Sequence, residues 1–302
     1  MKDLSALAVV IPCHDDCEAA EHLVDSFKDQ TVQPDEIVIA HDRCKRKQNT
    51  LNYGNKAASI NHYANILTSD YVLALDADMV LTPTFFESLK IAFQRQKPLL
   101  GSGLILGAKE DQSWTRGGSV DAYWYQCGGA MFIRRDYLIA NPLLVDTVLD
   151  DWIYGHVQKK NNNVTGILVD NAVCCMERKD ESLSRILKRQ LRYQLGYFET
   201  FRFNVATRGG GLTSLASILG IVALQFAFVP FAEQYHYGIL QAFYIAFCVI
   251  DAPLVILYFI YNVIKGSSDY RCDRWQNVVA NALSGPSFFL AFFMYLFHRK
   301  VW

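Results

Sequence analysis

The chain has 302 residues, 51% of them hydrophobic and 20% charged, with a formal net charge of -1. The charged share lies below the roughly 25% of ordinary soluble domains, and the deficit is concentrated after residue 211, so disorder, collagen-like repeats and a wholly soluble protein are excluded. A near-zero net charge without a long basic run also excludes nucleic acid as the expected partner.

The eight cysteines are scattered, form no CxxC pair and have no histidine at zinc-ligand spacing. They read as free thiols in a reducing compartment. The short apolar run Leu7 to Ile11 meets Pro12 and acids rather than a small-residue cleavage site, so no signal peptide is expected and the N-terminal part is placed in the cytosol.

In chain order, Leu7 to Ile11 is a β-branched strand, Glu18 to Asp29 a helical pattern, Glu36 to Ala40 a second strand, Asn55 to Leu67 an Ala-rich helix and Tyr71 to Leu75 a third strand. This alternation predicts βαβ units and an α/β fold with a central, mostly parallel sheet, whose ligands bind at the carboxyl ends of the strands. His14, Asp15 and Asp16 follow the first strand, His41 and Asp42 the second, and Asp76 and Asp78 the third.

Three apolar segments follow, at about 212–232, 238–264 and 278–297. The first carries no charge over about 21 residues, enough to cross a hydrocarbon core of about 30 Å. The second contains Asp251, whose insertion cost of about 2.5 to 3.5 kcal/mol is outweighed by many apolar residues returning about 0.3 to 0.6 kcal/mol each. The third is interrupted by Ser284, Gly285 and Pro286, and either spans or re-enters. Lys265, Arg271 and Arg274 mark the loop after the second segment as cytosolic, which puts the N-terminal domain in the cytosol of a multi-pass inner-membrane protein. The expected division is a cytosolic catalytic domain over 1–180, amphipathic interface helices over 181–210 and a membrane domain over 211–302.

Asp76-Ala77-Asp78 at the end of an apolar strand supplies two carboxylates that suit Mg²⁺ or Mn²⁺ and, through it, a diphosphate. A turn and helix cap is the competing reading of that pair. Asn55-Lys56 opens a helix with a cation suited to a phosphate or to those carboxylates. Further on come Gly128-Gly129-Ala130, Asp150-Asp151 and Arg189-Gln190-Leu191-Arg192-Tyr193. Asp150-Asp151 also suits the N-terminus of a helix over Trp152 to Lys160. Leu183 to Phe203 is amphipathic and basic, as a membrane-surface helix is.

This order of residues resembles family 2 inverting glycosyltransferases of the GT-A fold, in particular the membrane-bound branch of cellulose, chitin and hyaluronan synthases. The resemblance covers residues 5 to 210. It implies that Pro12, Asp15 and Asp42 line the nucleobase and ribose pocket, that Lys56 stands near the diphosphate, that Asp76 sits by the ribose or sugar, and that Asp78 ligates Mg²⁺ or Mn²⁺. It implies Asp151 as the general base that deprotonates the acceptor hydroxyl, with Arg189 and Arg192 on the donor diphosphate and Gly128, Gly129, Asp150 and Tyr193 toward the acceptor. Arg189 and Tyr193 depart from the synthases' QQxRW motif, which weakens any case for processive polymerisation.

The expected reaction is transfer of a sugar from a nucleotide diphosphate sugar, a UDP-sugar by expectation, to a saccharide or lipid-linked acceptor at the cytosolic membrane face. Loading of a single sugar onto a polyprenyl phosphate is the alternative within this class, and a catalytically inactive membrane scaffold is the alternative from another. The expected partners are donor, acceptor and lipid bilayer, and a homo-oligomer is compatible with all three readings. His14, His41 and His156 read as surface or hydrogen-bonding residues rather than ligands. Trp114, Tyr123, Trp124 and Tyr125 suit an acceptor platform or core packing equally.

Overall fold

The computed structural model describes residues 5–13, 17–41, 55–108, 114–116, 129–147 and 150–176, and beyond these residues 184, 188, 191, 192, 195, 196, 198, 199 and 294. The chain forms two compact units, Met1–Lys179 with Asp269–Arg271, and Asp180–Ser268 with Cys272–Trp302.

The first unit runs β1 (Leu7–Cys13), α1 (Cys17–Ser26) with a 3-10 turn at Phe27–Asp29, β2 (Glu36–His41), α2 (Lys56–Ala64), β3 (Tyr71–Leu75) and β4 (Met79–Leu81). It continues with α3 (Phe85–Gln96), β5 (Leu100–Ala108), β6 (Trp114–Arg116), β7 (Ala130–Arg134), α4 (Arg135–Ala140), α5 (Asp150–Asn162) and β8 (Ile167–Met176). The strands make one sheet in the order β2-β1-β3-β7-β5-β8-β4, with β6 on β5.

β1 is parallel to both β2 and β3, as the βαβ reading expects. The rest of the sheet corrects the expectation of a mostly parallel arrangement. β7 runs antiparallel between β3 and β5, β4 runs antiparallel to β8, and only β5 with β8 adds a further parallel pair. An apolar run announces a strand, but not the direction of the neighbour it will join.

β1 and β3 bury both faces, which is why they read as continuous apolar runs. Leu7, Val9 and Ile11 of β1 and Tyr71, Leu73 and Leu75 of β3 pack with Leu23 of α1, Phe27, and Phe86, Leu89 and Phe93 of α3. Tyr71 stacks on Phe93 with ring centroids 3.8 Å apart. The intervening Ala8, Val10, Val72 and Ala74 pack on the opposite side with Ala57, Ile60 and Ala64 of α2, Leu138 of α4 and Tyr154 of α5. Each large apolar side chain so buried stabilises the fold by about 1.5 to 3 kcal/mol, and the period of two sends alternate residues to the two layers.

In the second unit Leu191, Leu195 and Phe198 are buried, whereas Ser184, Lys188 and Arg192 are exposed; all six are helical. At about 100° per residue, Leu191, Leu195 and Phe198 fall on one face of a helix. The apolar segments at 212–232, 238–264 and 278–297 lie outside the described residues, apart from the helical Met294. Among the described residues, no helix is long and apolar enough to cross a membrane.

Candidate active site

Strand order β2-β1-β3 means that the chain leaves β1 in one direction and returns on its other side. The crevice at the carboxyl ends of β1 and β3 is therefore a topological switch point, the usual ligand site of a parallel sheet. Pro12 lies at that end of β1, half-buried and in register with Ala40 of β2. Asp76 is the first residue beyond β3.

Asp76 is held at three points. Its backbone N–H donates to the Gly129 carbonyl at 3.0 Å, extending the β3–β7 ladder by one rung, and its carbonyl accepts from Met79 N at 3.2 Å. Its carboxylate Oδ1 accepts from Lys56 Nζ at 2.6 Å. The 76-to-79 bond closes a four-residue turn, so Asp78 sits at the turn's third position, partly exposed. The two acids thus have different surroundings. Asp76 is paired with a cation, and Asp78 is carried on the turn beside it.

Lys56 is placed by the helix it opens. Asn55 precedes it in extended conformation, and its side-chain oxygen accepts from Ala58 N at 2.7 Å, an N-cap that satisfies one of the open donors of α2. The other end of the same amide donates to the Val145 carbonyl. One turn and a half along α2, Asn61 clasps Leu143 in both directions, its Nδ2 donating to the carbonyl and its Oδ1 accepting from the N–H, each at 2.9 Å. α2 is therefore fastened to the segment that leads into α5.

Asp150 is the first residue of α5 and Asp151 the second, so this pair lies within the first helical turn instead of capping a helix that starts at Trp152. Carboxylates in a first turn favour the positive end of the helix dipole. Asp151 is half-buried. Behind it Tyr154 is fully buried and donates to the Asn141 carbonyl at 2.8 Å, with burial holding its phenol strongly protonated. His156, packed edge-on against Trp152 at 4.9 Å, has its pKa lowered by burial, so its imidazole is neutral at pH 7.

Gly129 is buried, and its visible role is to admit Met79: a Cβ there would overlap Met79 Cε and approach Ile105 Cδ1 to 2.9 Å. Gly129 thereby supports the turn that carries Asp78. Arg192 is exposed on its helix in the second unit. Asp15, Asp42, Gly128, Arg189 and Tyr193 lie outside the described residues, as do His14, Asp251, the side chain of Asp150 and the aromatic side chains at 114 and 123–125.

Sequence reasoning missed the clasp made by Asn61, because an asparagine on a helix gives no sign of the loop it meets 82 residues later. The reading of the cysteines as thiols holds for Cys13, Cys174 and Cys175, which are in no disulfide, but not for Cys17, which is disulfide-bonded; Cys13 and Cys17 lie beside His41.

No family model matches the chain, and no curated protein does. Among solved structures, the mannosyltransferase PcManGT from Pyrobaculum calidifontis, in complex with GDP-Man and Mn²⁺, matches 99% of this chain and 89% of its own, at 13% identity and a TM-score of 0.54. The chain shares that protein's fold. Glucosyl-3-phosphoglycerate synthase from Mycobacterium tuberculosis, in complex with Mn²⁺, UDP and glucosyl-3-phosphoglycerate, matches 68% of this chain and 82% of its own at 11% identity and a TM-score of 0.48. A structure described as a mycobacterial protein matches 68% of this chain and 77% of its own at 10% identity, again with a TM-score of 0.48.

Proposed function

We propose that this protein is a membrane-bound, metal-dependent inverting glycosyltransferase of family 2, transferring a sugar from a nucleotide diphosphate sugar to a saccharide or lipid-linked acceptor at the cytosolic face of an inner membrane. The observation that carries the reading is the arrangement after β3: Asp76 bound to Lys56 at 2.6 Å and Asp78 on the adjoining turn, at a switch-point crevice. The fold shared with a mannosyltransferase in complex with GDP-Man and Mn²⁺ supports it.

The residues fit the hard cation that such a donor needs, because Asp78 offers carboxylate oxygens, is partly exposed, and stands beside a carboxylate already matched by Lys56. When bound, Mg²⁺ or Mn²⁺ supplies charge neutralisation to the departing diphosphate. Lys56 adds a fixed positive charge on the same side, and the family resemblance assigns Pro12, Asp15 and Asp42 to the nucleobase and ribose. Asp151 takes the proton from the acceptor hydroxyl, whose oxygen then attacks the anomeric carbon from the face opposite the leaving nucleotide. The family resemblance assigns Arg192 to the diphosphate, a ligand that its planar fork suits. The membrane assignment rests on the apolar, nearly charge-free segments after residue 211.

The test is an assay of the purified full chain in detergent against a panel of nucleotide sugars, with and without Mn²⁺, reading released nucleoside diphosphate. Saccharide and polyprenyl phosphate acceptors run in parallel decide the acceptor class. Release from one donor only in the presence of metal supports the proposal; no release from any donor with any acceptor favours an inactive scaffold.

A further inference from the structure

Three side chains near the edge of the candidate donor crevice have no part in the chemistry above. Cys13 ends β1, Cys17 opens α1 and His41 ends β2. One ligand atom from each lies within 4.8 Å of the other two. The convergence follows from topology: parallel pairing puts Cys13 directly opposite His41, and adjacent register partners project to the same side of a sheet. The thiol of Cys13 donates to Cys17 Sγ at 3.1 Å. Both cysteines are almost fully buried, at 4% and 5% exposure, and His41 Nδ1 is buried as well.

We propose that Cys13, Cys17 and His41 form a binding site for a soft divalent cation, Zn²⁺ by the chemistry of its donors, in the reduced protein. A tetrahedral zinc with bonds of about 2.3 Å to sulfur and about 2.0 Å to nitrogen holds neighbouring donor atoms roughly 3.5 to 3.8 Å apart. The two sulfurs, 3.1 Å apart, reach that spacing by separating a few tenths of an ångström, and the imidazole nitrogen already lies within 4.8 Å of both. Two thiols and an imidazole select zinc over the hard cations that a carboxylate such as Asp78 prefers, so the two metal sites have distinct chemistry. Binding forms two sulfur–metal bonds and one nitrogen–metal bond and releases the two thiol protons, which makes it weaker in acid. The fourth tetrahedral position falls to water or to a ligand other than these three. A sulfur in a disulfide cannot act as a thiolate ligand, so the disulfide at Cys17 and the metal site are alternative states of the same residue. When occupied, the site ties the end of β1 to the end of β2 and the start of α1, adjoining Pro12.

The full chain in detergent, reduced with a phosphine and dialysed free of loose metal, is titrated with Zn²⁺ and, separately, with Co²⁺. About one zinc per chain by elemental analysis, and thiolate-to-cobalt charge-transfer bands in the near ultraviolet, are expected. Cys13→Ser and His41→Ala should each weaken retention about tenfold or more, while Asp78→Asn should leave it unchanged. Far-ultraviolet circular dichroism separates loss of metal from loss of fold, and the cobalt spectrum of the wild-type chain decides the matter even where a cysteine variant does not fold. Reduced wild-type protein that takes up no zinc, or a cobalt complex without thiolate bands, overturns the site.

Discussion

Lys56 Nζ lies 2.6 Å from Asp76 Oδ1, joining the first residue of α2 to the first residue beyond β3. The side chains keep 24% and 31% of their exposure, so water screens the pair and its contribution to stability is at most about 1 kcal/mol. Its larger effect is positional, because it fixes where a cation and a carboxylate stand at the crevice.

Lys56→Gln should therefore weaken donor binding about tenfold or more while moving the melting temperature little. Donor affinity by calorimetry and a thermal melt on the same preparation check both halves; a large drop in melting temperature with unchanged affinity would make the pair structural.

Asp78→Asn should abolish turnover and metal-dependent donor binding with the fold intact. Nucleoside diphosphate release with added Mn²⁺ or with chelator measures this, and full activity of the variant in chelator would remove Asp78 from the metal.

Asp151 should separate from both. As a base it acts mainly in the transition state, so Asp151→Asn should lower kcat by about 10² or more with donor affinity nearly unchanged. A loss of affinity at normal saturated turnover would place Asp151 in the donor pocket.

Gly129→Ala drives a methyl group into Met79 Cε and close to Ile105. Overpacking of this kind costs about 1 to 3 kcal/mol, and Met79→Ala in the same chain should recover part of it. Denaturant melts of the two single variants and the double variant give the coupling; simple additivity would place the strain elsewhere.

Glu36 offers a pH test. Burial pushes its pKa up, but hydrogen bonds from the hydroxyls and backbone N–H groups of Thr68 and Ser69 outweigh burial and hold it below the ordinary value. A depressed carboxyl contributes stability above its unfolded pKa of about 4.3, and loses it as pH falls through the folded value. The stability difference between wild type and Glu36→Gln should therefore be full at neutral pH and shrink below about pH 4. A difference constant across that range would show that charge has no part in it.

β1, β2, β3 and α2 were legible in the sequence within a few residues: burial on both faces makes β1 and β3 continuous apolar runs, β2 is a β-branched run, and a polar N-cap marks the start of α2. The placement of Asp76 and Asp78 just past β3 was legible for the same local reason: an apolar run stops where the chain leaves the core.

What joins elements far apart in the chain was not. The insertion of β7 between β3 and β5, the grip of Asn61 on Leu143, and the meeting of Cys13 with His41 each depend on which partner an element selects and in which register. That choice is settled by burying whole faces together, a free energy summed over the sheet and its two helical layers, so no single residue announces it. The sequence by itself determined the strands, the helices and the acids at their ends; tertiary structure alone decided that Lys56 neutralises Asp76, leaving Asp78 on the adjoining turn, and that two cysteines and a histidine share one corner of the sheet.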